Sequence, residues 1–192
     1  MSGHFEALPG GGATVPLDEV EVAILRSLAV QMLELIGPGD EPAQGEDPLA
    51  ALFRDGPSKP PADPALARLF PEAYGDGDDE ARAASAEFRR FTENDLRTRK
   101  REDALTVVRS LDGLTAAGAP GGRLELTAEE SRSWLGALND LRLTIGTRLE
   151  VSDEDEGDGL YRLPDTDPRK PMVMAYLWLG ALQETLVETL MP

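Results

Sequence analysis

Six cations crowd one short stretch of this sequence: Arg89, Arg90, Arg97, Arg99, Lys100 and Arg101. Arg90, Arg97 and Arg101 share one face if the stretch is helical. The chain carries 19 Lys and Arg against 36 Asp and Glu, a formal charge of −17. Against that background the run makes a local positive patch. It reads as a docking surface for an acidic protein partner, as a nucleic-acid helix, or as a solvated face with its own ion pairs. Glu93, four residues before Arg97, and Glu102 and Asp103, next to Arg101, would supply such pairs. The summed negative charge opposes phosphate, so nucleic acid is disfavoured as a ligand of the chain alone. A second polar cluster, Asn139, Asp140 and Arg142, is either a further partner contact or a buried hydrogen-bond network.

Other chemistry lacks material. There is no cysteine and one histidine, His4, so thiolate catalysis, disulfides, a Ser-His-Asp triad and a multi-histidine metal site are without their residues. The acidic run Asp153, Glu154, Asp155, Glu156 and Asp158 fails the calcium-loop pattern, because Asp158 stands where glycine is needed and Pro164 where glutamate is needed. Gly10-Gly11-Gly12 lacks the Lys-Ser/Thr of a phosphate loop. No carboxylate pair is singled out as acid and base. The sequence therefore predicts no metal, no cofactor and no enzyme.

The elements that must position the basic run follow from periodicity and caps. Phe5–Leu8 and Ala13–Val15 flank a glycine-rich turn and predict a β-hairpin within 1–16. Asp18 opens a helix to Ile36 with Leu25, Leu28, Met32 and Leu35 on one face. Residues 37–75 form a linker with two short helices, Asp47–Phe53 and Asp63–Phe70, each with Asp then Pro at its start. A long helix over 76–112 carries Ala81, Ala84, Phe88 and Phe91 early and Leu105, Val108 and Leu111 late. Its polar middle holds the basic run, so reversing Arg97 and Arg101 should weaken a partner and spare the fold. Leu124–Leu126 suggests a brief strand. Thr127 and Glu130 form a capping box before a helix with Trp134, Leu138, Leu141 and Ile145 aligned. After the acidic loop, Pro171 starts a last helix whose stripe, Ala175, Leu179, Leu182, Leu186 and Leu190, puts it at the centre of the bundle. The expected fold is mainly α: a helical bundle of about five to six helices, with a small N-terminal β-hairpin, as one domain over 1–192. Residues 1–12 lack the pattern of a signal peptide, and the uncharged run 171–182 is too short to span a bilayer. The cytoplasm is the expected location.

Several phrases now add up: Asp47-Pro48-Leu49-Ala50; Arg68-Leu69-Phe70-Pro71 with Ala73-Tyr74; Phe88-Arg89-Arg90-Phe91-Thr92; Leu138-Asn139-Asp140-Leu141-Arg142; and Tyr176-Leu177-Trp178-Leu179. Together they resemble an actinobacterial domain-of-unknown-function family, that of the AosR-like oxidative-stress transcriptional regulators. The resemblance implies a cytoplasmic regulator that works through a protein partner, an alternative sigma factor or RNA polymerase. It also implies a cysteine-pair redox switch, which has no matching position in this cysteine-free chain. The partner-binding residues expected on this reading are Arg89, Arg90, Arg97, Lys100, Arg101, Asn139, Asp140 and Arg142. Direct DNA binding through the basic helix is the alternative, and an enzyme with an acidic site a more distant one.

Overall fold

Gly10 and Gly11 hold φ at 101° and 90°, values that a side chain with Cβ rarely adopts, and so turn the chain back on itself. In the computed structural model, which describes residues 3–37, 56–74, 77–116, 121–151 and 163–191, β1 (Glu6–Ala7) and β2 (Ala13–Leu17) form the expected hairpin. The sheet has a third member. β3 (Gly122–Leu126) pairs antiparallel with the other edge of β2, from Ala13 opposite Leu126 to Leu17 opposite Gly122. Val15 and Leu17 of β2 are buried beside Leu124 and Leu126 of β3. Thr14 is buried too, and its hydroxyl donates to the Leu124 oxygen at 2.8 Å.

Asp18 stops β2 and starts α1 (Glu19–Ile36). Its carboxylate accepts from Glu21 N at 2.8 Å, and the Glu21 carboxylate accepts from Asp18 N at 3.0 Å. This reciprocal cap satisfies two orphan donors and is worth about 1 kcal/mol. The buried face of α1 is Val22, Leu25, Ala29, Met32 and Ile36, rotated from the expected stripe, and Ile24 stays 40% exposed. α2 (Pro64–Leu69) is the second of the two short helices, with the Asp63 carboxylate accepting from Ala65 N and Leu66 N. The first, over 47–53, lies outside the described residues, as does the acidic run of 153–158.

α3 (Asp79–Ala116) is the long helix. Its late buried residues are Ala104, Val107 and Leu111, so the expected stripe was one step out at two of three positions. Its early half corrects the sequence reading more sharply. Phe88 and Phe91 are 49% and 61% exposed, while Ser85, Arg89 and Glu93 face inward. Polar groups can take an inner face when every charge there finds a partner, and these do.

α4 (Ala128–Arg148) follows the Thr127–Glu130 capping box. Trp134, Leu138, Leu141 and Ile145 are buried as expected. This helix, rather than the last one, is central: it touches α1, α2, α3 and β3 as well as α5 (Lys170–Leu190). α5 packs against α4 and β1 and buries Val173, Leu179, Leu182 and Leu186, while Met172, Met174 and Val187 face outward. Its apolar stripe is the mark of one buried side, not of a surrounded helix. Phe5 ties sheet to bundle, edge-on to Trp134 at 6.0 Å, with its N–H donating to Thr185 Oγ1 at 3.1 Å.

Candidate functional site

The four-residue spacing of Arg89, Glu93 and Arg97 stacks them on the inner face of α3. Arg89 is 5% exposed. Its Nη1 and Nη2 both donate to the Phe70 oxygen at 3.1 Å, and Nη2 reaches Glu72 Oε1 at 3.3 Å. Nη1 also pairs with Glu93 Oε2. The other Glu93 oxygen accepts from Arg97 Nε at 3.0 Å and Nη2 at 2.8 Å. Arg97 lies over the Phe70 ring, 4.4 Å from its centre, and donates through Nη1 to the Ile36 oxygen at 2.7 Å. One turn on, Arg101 donates to the oxygens of Leu33 and Gly37. The last turn of α1 has no basic residue of its own. Its negative dipole end and orphan carbonyls are met by two arginines of α3. A buried carboxylate shared by two guanidinium groups, with spare donors on carbonyls, avoids the uncompensated charge that makes buried ions costly.

Lys100 leaves this ladder and crosses to α4, where its ammonium lies 2.6 Å from Asp140 Oδ1. Asp140 is 2% exposed. Burial pushes its carboxyl above the ordinary value, against the pull of Lys100. Asp103, one turn along α3, is likewise raised by burial, with Ser133, Arg99 and Lys100 pulling it back. Gly136 makes room for it, since a Cβ there would stand 2.5 Å from Asp103 Oδ2.

The structure thus gives Arg89, Arg97, Lys100 and Arg101 partners inside the fold. Arg90 remains at the surface, stacked over Phe91 at 4.6 Å and paired with Glu87 at 2.9 Å. The second cluster is divided. Asp140 turns to α3, whereas Arg142 Nη1 donates to Gln183 Oε1 of α5 at 2.7 Å and Asn139 Oδ1 accepts from Gln183 at 3.4 Å.

What the sequence reading missed is an aromatic surface. Tyr74, 58% exposed, meets Phe88 edge-on at 6.2 Å, and Phe91 and Leu96 continue the patch along α3. A cleft of about 180 Å³ opens between Phe70-Pro71 and the helix, lined by Phe88, Thr92 and Leu96. The available signal was the Arg89–Glu93–Arg97 spacing, which competes with Phe88 and Phe91 for the inside. Among the described residues no group of acidic, histidine or cysteine side chains could hold a metal ion, and no helix is long and apolar enough to cross a membrane.

These features define a helical scaffold whose exposed speciality is a surface, braced from within by paired charges. The chain belongs to the family described as domain of unknown function (DUF2017), which matches residues 2–190. It is 33% identical over 182 residues to the oxidative stress regulator AosR of Mycobacterium tuberculosis, covering 89% of this chain and 78% of that protein. The same protein of Mycobacterium bovis matches equally. The putative oxidative stress regulator AosR of Mycobacterium leprae is 32% identical, over 89% of this chain and 79% of its own length. No solved structure matches the chain. The family resemblance read from the sequence is confirmed, and its named relatives are regulators.

Proposed function

We propose that this protein is a cytoplasmic oxidative-stress regulator that acts on transcription by binding a protein, an alternative sigma factor or RNA polymerase, and does no catalysis of its own. The observation that carries the reading is the 33% identity to regulators across 89% of the chain. The geometry supports a docking role for the outer face of α3. Tyr74, Phe88 and Phe91 are solvent-facing aromatics beside a stacked arginine, Arg90, the residue types that dominate protein interfaces. In this reading Arg89, Arg97, Lys100 and Arg101 hold that face in place rather than touch the partner. Turning those cations inward weighs against direct DNA binding through the helix, as does the charge of −17. With no cysteine, the response does not pass through a disulfide.

The test is complementation. A strain lacking the gene is given wild type or Phe88→Ser with Phe91→Ser, and its transcripts are compared after peroxide. Wild type restores the response and the variant does not, although its melting changes little because both rings are exposed. Full restoration by the variant overturns the role of this face.

A further inference from the structure

We infer that the outer face of α3 takes a basic partner: a helical protein segment with one large apolar side chain and a lysine or arginine about two turns to either side. The inference rests on the proposed docking role of this face and adds the chemistry that the face accepts. At 3.6 residues per turn, Glu80, Ala84, Phe88, Phe91 and Asp95 fall within about 80° of one another around the helix, a single stripe. All five are exposed. Along the axis Glu80 stands about 12 Å before Phe88, and Asp95 about 10 Å after it. The stripe is therefore apolar at its centre and carboxylate at both ends. Glu102, also exposed, extends the acidic end two turns beyond Asp95.

The sign of this face is opposite to that of the basic run on the same helix. Arg89, Arg97, Lys100 and Arg101 direct their charge into the fold. Of the other cations, Arg90 pairs with Glu87 at 2.9 Å, and Arg99 is near enough to Asp103 to pull its carboxyl down. Glu80, Asp95 and Glu102 have no cation among the described residues. An acidic segment laid here would meet like charge, whereas lysine or arginine at the two ends complements it. The chain's charge of −17 draws a basic segment in and repels phosphate. The apolar side chain has its seat beside the stripe. The cleft of about 180 Å³ between Phe70-Pro71 and α3, walled by Phe88, Thr92 and Leu96, has room for one. Arg89 and Glu93, both buried, neutralise each other at its floor. An ion entering there would find no unspent counter-charge, so the seat favours an uncharged group.

The test uses the purified full chain and three stapled helical peptides of about nineteen residues, about 28 Å long. The first carries a central Phe with Lys two turns before and two turns after it. The second has Glu in place of both Lys, and the third has Ala in place of Phe. Fluorescence anisotropy should show the first binding, and the other two binding at least about tenfold more weakly. Glu80→Gln with Asp95→Asn should weaken the first peptide about tenfold, whereas Glu184→Gln with Glu188→Gln, the same loss of charge on α5, should change it less than about twofold. All four positions are exposed, so neither double variant should alter the melt. Equal binding of the Lys and Glu peptides, equal losses in the two double variants, or no binding of any peptide at about 1 mM overturns the proposal. Binding to phosphatidylcholine vesicles that Phe88→Ser abolishes, with no preference among the peptides, assigns the aromatics to a lipid surface and overturns it too. If complementation still separates wild type from the Phe88→Ser, Phe91→Ser variant, the docking role stands with a partner of other chemistry, so the two readings fail separately.

Discussion

Arg97 Nη1 donates to the main-chain oxygen of Ile36 at 2.7 Å, 61 residues back along the chain. The cation that caps α1 thus belongs to a different helix. The same side chain holds Glu93 and covers Phe70. Arg97→Gln should therefore destabilise the fold by about 2 kcal/mol, the scale of charged hydrogen bonds lost from a partly buried site. The melting temperature should fall by roughly 4–8 °C. Reversing both Arg97 and Arg101 to Glu should cost more, contrary to the sequence expectation that the fold is spared. Urea and thermal melts of the two variants decide the matter; unchanged melts would refute the capping role.

The buried carboxyls of Asp103 and Asp140 predict the sign of one pH effect. Both are raised above 3.8, chiefly by burial. The folded chain then holds these protons at a pH where the unfolded chain has released them. Their contribution to stability rises as pH falls from neutral through the raised values toward 3.8, and levels off below. Asp103→Asn removes one such group. Relative to this variant, wild type should gain stability between about pH 7 and about pH 4.5 in urea melts. A gap that moves the other way would show that Asp103 is held by its cations rather than by burial.

Leu182 lies on the inner side of α5 and is 1% exposed. Leu182→Ala should cost about 2–5 kcal/mol through lost burial and the cavity left behind. Leu182→Asp places an unpaired carboxylate there and should abolish the cooperative melt. Calorimetry of both variants checks the pair, and a wild-type melt for the Asp variant would displace α5 from the core.

Peroxide should act on thioethers alone, because the chain has no thiol. Met172, Met174 and Met191 are 44%, 54% and 67% exposed, while Met32 is 2% exposed. Peptide mass spectrometry should find the added oxygen, about 16 Da, on the exposed three before Met32. Dithiothreitol should reverse none of it. A reductant-reversible change in any property of the purified chain would contradict this.

Much of the bundle was legible because local rules agreed with global packing. Asp18, Asp63 and Thr127 each cap the helix they announce, and the Trp134 stripe faces the core. Hydrophobic periodicity misled on the early half of α3, where it assumes that apolar means inside. Arg89 and Glu93 took that side because Phe70, 19 residues before Arg89, offers its carbonyl and Arg97, four residues after Glu93, its charge; only the second of these contacts is local. The basic run was visible as composition, but its direction was not. Nor could a single-chain pattern show that β3 would join β2, since strand pairing across that separation leaves no local mark.

That pairing of β2 with β3 has a consequence for how the protein is made. Leu17 leaves the ribosome 109 residues before Leu126. At about 5–20 residues per second the nascent β2 waits on the order of ten seconds for the strand that covers its second edge. The carbonyls ending α1 wait as well, until Arg97 and Arg101 have emerged. During that interval an open strand edge and a frayed helix end are presented together, the kind of surface that invites mispairing. The segment from β2 to the end of α1 is therefore a late closer: it is synthesised first and becomes secure only when the second half of the chain has arrived.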